Sequence, residues 1–286
     1  MQGVNRLERL NDAPVNPAWN TRFKRYAFAD GISDELKDAF RDAEGLILRA
    51  ELIKNSRSTT AGIFSLNDKK YFIKRSNVNS LSERIRRIGR LPRSTRNLLA
   101  AEKLTEIGIL TPKVYLSLET GSNFLPAACY LITEAYPHPM TAGKNFAELI
   151  KFFNGVENLV ETICAMVIKM HCSSLTHGDL KFSNIMAIKD AYGSFQLGLF
   201  DLDGVQWHGS SCPEKAVVKD LARMASSFCL DGSYYNIFDK SKFADYCRIW
   251  SKAYAAVGGV DYTANALYHQ RLKRFMPDLN IQEMLK

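Results

Sequence analysis

The chain has 286 residues, 46% of them apolar and 24% charged, a balance that supports a folded core and excludes a disordered tail or a small disulfide scaffold. Its net charge of +8 is unevenly placed: residues 1–110 hold 21 Lys and Arg against 13 Asp and Glu, whereas residues 111–286 hold 17 of each. Six cysteines (129, 164, 172, 212, 229 and 247) form no CxxC pair, which argues against a zinc ribbon and for reduced core thiols, and no signal-type or spanning apolar run is present, so the expectation is a soluble cytoplasmic protein.

In chain order, residues 1–45 read as an irregular arm and a short helix over 33–44, capped by Ser33, acidic in its first turn and stopped by Gly45. Strands follow at Leu46–Ile53, Ala61–Leu66 and Tyr71–Lys74, joined by a Ser/Thr-rich turn and the Asn67-Asp68 turn, as a three-stranded meander. Residues 69–96 carry ten basic side chains and one acid, Glu83. That one-sidedness favours an anionic partner, an acidic membrane surface or a phosphorylated glycolipid, over a merely solvated face. Nucleic acid is not expected, because no aromatic side chains are interleaved as stacking platforms. A helix over 93–107 closes at Gly108, Pro112 opens a strand Lys113–Glu119, and Ala128–Ala135 is a fifth strand. Pro137 and Pro139 then break the chain, and helices follow at 144–153, 156–172, 214–229, 240–256 and 263–274. The class is therefore α+β, with a small β-rich region at 46–136 and a larger helical one at 137–286, preceded by the 1–45 segment.

Between the second and third of those helices lie His177-Gly-Asp-Leu-Lys-Phe-Ser-Asn184 and Phe195-Gln-Leu-Gly-Leu-Phe-Asp201-Leu-Asp203-Gly204. In the second piece Phe195, Leu197, Leu199 and Asp201 share one face of an alternating strand, so Asp201 is expected to extend a buried row, where an isolated carboxylate is costly and a metal ion is the remedy. Asp179 and Asn184 lie five residues apart in the first piece. An Asp and an Asn amide oxygen near a second Asp supply the hard oxygens that suit Mg²⁺ bound together with substrate phosphates.

These motifs carry a resemblance. HGDLKFSN is similar to the H-R-D-x-x-x-x-N catalytic loop of protein kinases, LFDLDG to the strand-borne D-F-G aspartate, Tyr71-Phe-Ile-Lys74 to the V-A-I-K strand, and Glu102 to its partner glutamate on the next helix. The order over residues 46–229 is that of the protein-kinase-like fold, with two lobes. The HGDL…N…FDLD combination, the basic stretch before the Glu102 helix, Gly108-Ile-Leu-Thr-Pro112 and Lys219-Asp-Leu-Ala-Arg223 resemble the bacterial lipopolysaccharide core kinases, which phosphorylate heptose or Kdo sugars at the cytoplasmic face of the inner membrane.

The resemblance implies an ATP- and Mg²⁺-dependent kinase acting on a sugar hydroxyl of lipopolysaccharide core, peripheral at that membrane. Lys74 holds the ATP phosphates and Glu102 orients it; Asp179 aligns the acceptor hydroxyl, Lys181 neutralises the transferring phosphate, and Asn184 and Asp201 ligate the metal. Ser58, Thr59 and Thr60 in the loop Lys54–Gly62, and Glu134 and Tyr136 at the end of the fifth strand, join the nucleotide-binding set. His177 is expected to be structural, Asp203 to cap the following turn rather than to assist a second metal, and Asp220 to hold the catalytic-loop backbone. Three departures stand out: the Lys54–Gly62 loop lacks GxGxxG, Gly178 replaces the usual arginine, and the segment from Gly204 to Pro213 is short. The last two argue against switching by loop phosphorylation and for a small or sugar acceptor. A kinase for another small molecule or for protein Ser/Thr, and a catalytically silent kinase-like binding module, are the alternatives; the complete set Lys74, Glu102, Asp179, Asn184 and Asp201 weighs against the silent module.

Overall fold

A six-stranded antiparallel sheet organises the first part of the computed structural model, in the order β1-β5-β6-β4-β3-β2. Residues 22–286 are described, apart from 79, 87, 89, 90, 123, 124, 137–140 and 191, and for Arg22 and Glu83 the backbone alone. Residues 1–21 of the 1–45 segment and the Pro137–Pro139 break thus lie outside the described residues. The chain divides into two compact units, Met1–Glu102 with Pro112–Pro137, and Lys103–Thr111 with His138–Lys286.

The first unit runs β1 (Arg22–Phe28), α1 (Asp34–Arg41), α2 (Ala43–Arg49), β2 (Glu51–Asn55), β3 (Thr59–Leu66), β4 (Lys69–Asn77), α3 (Leu81–Arg86), α4 (Arg93–Glu106), β5 (Val114–Ser122) and β6 (Leu125–Glu134). Tyr71 and Ile73 of β4, Leu116 and Leu118 of β5, and Tyr130 and Ile132 of β6 alternate onto one face of the sheet. Phe40 of α1 and Ala43, Leu46 and Ile47 of α2 bury against them, with the Phe40 ring 5.2 Å from that of Tyr71 and edge-on. The opposite face of β5 is polar where it meets α4: the buried Ser117 hydroxyl donates to Ser94 Oγ at 2.8 Å and lies 2.9 Å from the Thr95 hydroxyl.

Two parts of this unit differ from the sequence expectation. Arg22–Phe28 is not an irregular arm but a strand, paired residue for residue with β5 from Arg22↔Ser122 to Phe28↔Leu116. It lies at the sheet's edge and keeps Lys24 and Arg25, neighbours in sequence, both in water, so it lacks the alternation that marks a half-buried strand. Leu46–Ile53 is not one strand either. Asp42 accepts the Gly45 N–H at 3.1 Å and caps a second helix, in which Ala43, Leu46 and Ile47 bury at helical spacing, and only Glu51–Asn55 is extended. Gly45 therefore starts a helix instead of stopping one.

The second unit runs α5 (Phe146–Phe152), α6 (Val156–Cys172), β7 (Leu175–Thr176), β8 (Ile185–Lys189), β9 (Phe195–Leu199), β10 (Gln206–Trp207), α7 (Glu214–Tyr234), α8 (Phe243–Ala256), α9 (Ala266–Phe275) and α10 (Ile281–Met284). Its core is aromatic: Phe228 of α7 lies between Phe146, Phe182, Phe238 and Trp250, with ring centroids 4.7 to 5.4 Å away. β8 and β9 pair antiparallel from Ile185↔Leu199 to Lys189↔Phe195. The Leu110 backbone runs beside them, where its carbonyl accepts the Leu199 N–H at 2.8 Å. Cys129, Cys164, Cys229 and Cys247 are buried, and all six cysteines are free. Among the described residues no helix is long and apolar enough to cross a membrane.

Candidate active site

Helix α7 is the template of the site. It is apolar over most of its buried length, yet Asp220, Arg223, Ser227 and Asp231 recur every three or four residues and so form one polar stripe. Each of the first three binds the loop 177–184. Asp220 is fully buried and accepts the His177 N–H at 2.7 Å and the Gly178 N–H at 2.8 Å, the support expected of it. Arg223 Nε donates to Asp179 Oδ1 at 3.1 Å, and the Ser227 hydroxyl accepts the Phe182 N–H at 2.7 Å. Leu180 and Phe182 drop fully into the core between these bonds, which turns Asp179 and Lys181 outward.

Asp179 is about half exposed, and its other oxygen, Oδ2, lies 2.8 Å from Lys181 Nζ. Burial alone would raise its pKa, but the hydrogen bonds and charges of Lys181 and Arg223 outweigh that and hold the carboxyl below the usual carboxylate range. The Arg223 guanidinium is itself stacked over Phe275, 4.6 Å from the ring centroid. Asp231 behaves oppositely: burial raises its pKa against the pull of Arg223 and Lys181, and its Oδ2 is buried without a hydrogen-bond partner among the described residues. Motif reasoning catches Arg223 only as part of a phrase, with no role of its own, and misses Asp231. The signal that could find both is the stripe at 220, 223, 227 and 231 on an otherwise apolar helix.

His177 is structural, as expected. It is fully buried, and its Nε2 lies 3.1 Å from the Phe200 carbonyl, so Nε2 carries the proton. Asn184 Nδ2 donates to the Asp179 carbonyl at 3.0 Å, which leaves the amide oxygen as the available ligand atom. The Asn184 carbonyl accepts the Phe200 N–H at 3.2 Å, setting Asn184 beside the turn that carries Asp201.

Asp201 itself is placed differently from expectation. β9 ends at Leu199, and Asp201 is an exposed residue in the left-handed region with φ +57°, not the next member of a buried row. A non-glycine residue held there is strained, a cost that concentrates at functional turns. Asp203 lies inside the short turn at Leu202–Gly204, whose capping position is taken by Asp201 without a side-chain cap bond.

The glycine in place of the usual arginine has a steric origin. Gly178 has φ +80°, and a Cβ there would stand 2.3 Å from the Gly204 carbonyl oxygen, while one on Gly204 would stand 2.8 Å from the His177 carbonyl oxygen. The two loops touch backbone to backbone, with no room for a side chain. Gly178→Arg, which restores the common kinase sequence, is therefore expected to abolish activity and lower the melting temperature. A variant as stable and active as wild type in thermal denaturation and turnover would contradict this packing.

In the first unit, Lys74 lies on the sheet face opposite Tyr71 and Ile73, paired with Ala61 on one side and Leu131 on the other. Glu102 is near the C-terminal end of α4. The loop expected over the nucleotide is the tight β2–β3 hairpin, with Ser56 N–H donating to the Thr59 carbonyl at 2.8 Å. Its own bonds use part of what the sequence offered to phosphate: the Thr59 N–H donates to Ser56 and the Thr60 hydroxyl to Asn55 Oδ1. Among the described residues the Ser58 hydroxyl has no partner. Burial and the adjacent Glu134 carboxylate raise the Tyr136 phenol to about 12.

Of the basic run, Arg87 and Arg90 lie outside the described residues. Arg84 spends its charge on the sheet, donating to the Pro126 carbonyl at 2.8 Å and the Leu125 carbonyl at 3.2 Å, and Arg75 lies over the Tyr130 ring.

No curated protein sequence matches the chain. A solved structure described as WaaP in complex with acyl carrier protein is similar, with a TM-score of 0.57 and 17% sequence identity over 88% of this chain and 99% of that one. That likeness shows the fold, which is protein-kinase-like. The model of the lipopolysaccharide kinase (Kdo/WaaP) family matches residues 49–245, well over half of the chain and all of the loop, stripe and turn just described. The chain belongs to the lipopolysaccharide kinase (Kdo/WaaP) family, and is thus a phosphotransferase acting on a sugar hydroxyl.

Proposed function

We propose that the enzyme transfers the γ-phosphoryl group of ATP, with Mg²⁺, to a hydroxyl of heptose or Kdo in lipopolysaccharide core, at the cytoplasmic face of the inner membrane. The observation that carries this reading is Asp179, ionised and fixed by two cations on a loop bonded to α7, in a chain of this family.

A sugar hydroxyl does not ionise at neutral pH, so its proton must leave during transfer, and Asp179 is the acceptor at hand. Each Asp179 oxygen already takes one hydrogen bond, from Arg223 or Lys181, and keeps lone-pair capacity for the hydroxyl. Held below the usual carboxylate range, it is a weak base. It therefore orients the hydroxyl and takes the proton late, which suits a loose phosphoryl transition state. Lys181, paired with Asp179, also neutralises charge on the transferring group. Lys74, oriented by Glu102, binds the nucleotide phosphates, with Ser58 closing over them and Glu134 and Tyr136 completing the nucleotide site.

Asn184 and Asp201 fit a magnesium ion, since both offer hard oxygens and stand on adjoining turns. Among the described residues no three His, Cys, Asp or Glu side chains converge, so Asn184 and Asp201 would hold the ion together with substrate phosphate oxygens. When bound, the ion neutralises phosphate charge.

The test is transfer of labelled γ-phosphate from Mg·ATP to under-phosphorylated core, with mass spectrometry locating the phosphate. Label on a core heptose or Kdo with wild type, and none with Asp179→Ala, is the expected result. Label on a soluble metabolite or on protein instead would transfer the assignment to another acceptor.

A further inference from the structure

Four large aliphatic side chains in one short stretch of the first unit face water: Leu81 is 61% exposed, Ile85 53%, Ile88 54% and Leu91 48%. Leu81 and Ile85 lie one helical turn apart on α3, the Ile88 N–H donates to the Ile85 carbonyl at 3.1 Å just beyond it, and Leu91 stands two residues before α4. A surface helix ordinarily turns its apolar side to the protein and its charges to solvent. Here the order is inverted. Arg84 lies underneath, fastened to the carbonyls of Leu125 and Pro126 on β6, and these bonds hold the aliphatic row outward.

The surroundings decide what the row fits. Arg86 and Arg93 are exposed beside it, and residues 81–93 contain five arginines and one acid, Glu83. The row is aliphatic throughout, without the Tyr, Trp or Met anchors that dominate protein–protein contacts. Aliphatic side chains flanked by five arginines and a single acid, Glu83, match the boundary between acyl chains and anionic headgroups.

We propose that Leu81, Ile85, Ile88 and Leu91 insert into the surface of an anionic bilayer, with Arg86 and Arg93 against its headgroup phosphates, and so dock the kinase on the membrane that carries its acceptor. This rests on the acceptor being a membrane glycolipid, as proposed above. The basic run alone would give attraction that salt screens; the aliphatic row adds a component that salt leaves in place.

The experiment is co-sedimentation of the purified full chain with vesicles of phosphatidylglycerol and phosphatidylethanolamine, or of phosphatidylcholine alone. In parallel, phosphorylation of a deacylated, water-soluble core acceptor is assayed. Wild type should bind the anionic vesicles selectively, and high salt should weaken but not abolish binding. The double variant Ile85→Gln, Ile88→Gln should bind about thirtyfold more weakly, because two half-exposed isoleucines lose their apolar transfer. Its melting temperature and its turnover of the soluble acceptor should equal those of wild type. In Ile85→Trp, indole fluorescence should shift to the blue on anionic vesicles and be quenched by brominated acyl chains.

Equal vesicle binding by wild type and the double variant overturns the proposal. So does a wild type that phosphorylates the soluble acceptor yet stays off vesicles, an outcome that leaves the kinase reading intact. Capture of a carrier protein in place of vesicles through these side chains overturns it as well. Vesicle binding that depends on the isoleucines, with the core acceptor left unphosphorylated, upholds the docking and removes the proposed acceptor.

Discussion

Asp179→Asn is expected to lower the turnover number for phosphoryl transfer by about 10²- to 10⁴-fold, the range for removing a positioned proton acceptor, while leaving the melting temperature nearly unchanged. The amide keeps the shape of the side chain and can still accept Arg223 Nε through its oxygen, so the loop bonds to Asp220 and Ser227 survive. What disappears is the negative charge that aligns the acceptor hydroxyl and later takes its proton. Because Lys181 and Arg223 both lose their counterion, nucleotide affinity should hold or rise: the two cations are then balanced only by substrate phosphate. Steady-state kinetics with ATP titration separates the two effects. A turnover number within a few fold of wild type would remove Asp179 from the proton path.

Much of this site is legible in the amino-acid sequence alone. The loop 177–184, Asn184 and the Asp201 turn are recognisable because phosphoryl transfer needs particular donors in a fixed order, and order survives in a sequence when packing does not. The supporting role of Asp220 is legible through the same resemblance. Arg223 stands in a recognisable motif but without a role, since an arginine among Leu, Ala and Met reads as an exposed helix position; only the fold shows that this face of α7 looks at the catalytic loop. The expectation for Asp201 fails for a local reason, in that alternation through Leu197 and Leu199 does not reveal that the strand stops and the chain turns left-handed two residues later.

In the first unit the differences arise at short elements whose local signals compete. Leu46-Ile-Leu reads equally well as strand or helix, and the Asp42 cap, which decides it, lies inside the stretch that reads as the preceding helix. The β1 strand is illegible because an edge strand with charged residues satisfies its backbone by pairing with β5, a contact 94 residues away for Arg25 and Glu119.

Asp220→Ala tests the other half of the design, and it should differ from Asp179→Asn in kind. Asp220 is a fully buried carboxylate with two backbone N–H donors at 2.7 and 2.8 Å and His171 Nε2 at 3.5 Å. Truncation leaves the buried His177 N–H and the Gly178 N–H without partners and opens a void, mechanisms whose combined cost is about 3–5 kcal/mol. For a unit of this size that is a fall of roughly 6–20 °C in melting temperature. Turnover should fall too, by about 10²-fold, because a loop displaced by an ångström misplaces Asp179 and Asn184 together. Asp220→Asn discriminates between void and lost acceptor: it fills the space but turns an NH₂ toward one of the two N–H donors. It should therefore recover part of the stability and little of the activity. Thermal denaturation beside single-turnover phosphoryl transfer reads both quantities. If Asp220→Ala lost activity at wild-type stability, the carboxylate would be acting on substrate directly; if it lost stability at wild-type activity, the loop would hold its geometry without α7, and the stripe at 220, 223, 227 and 231 would be packing alone.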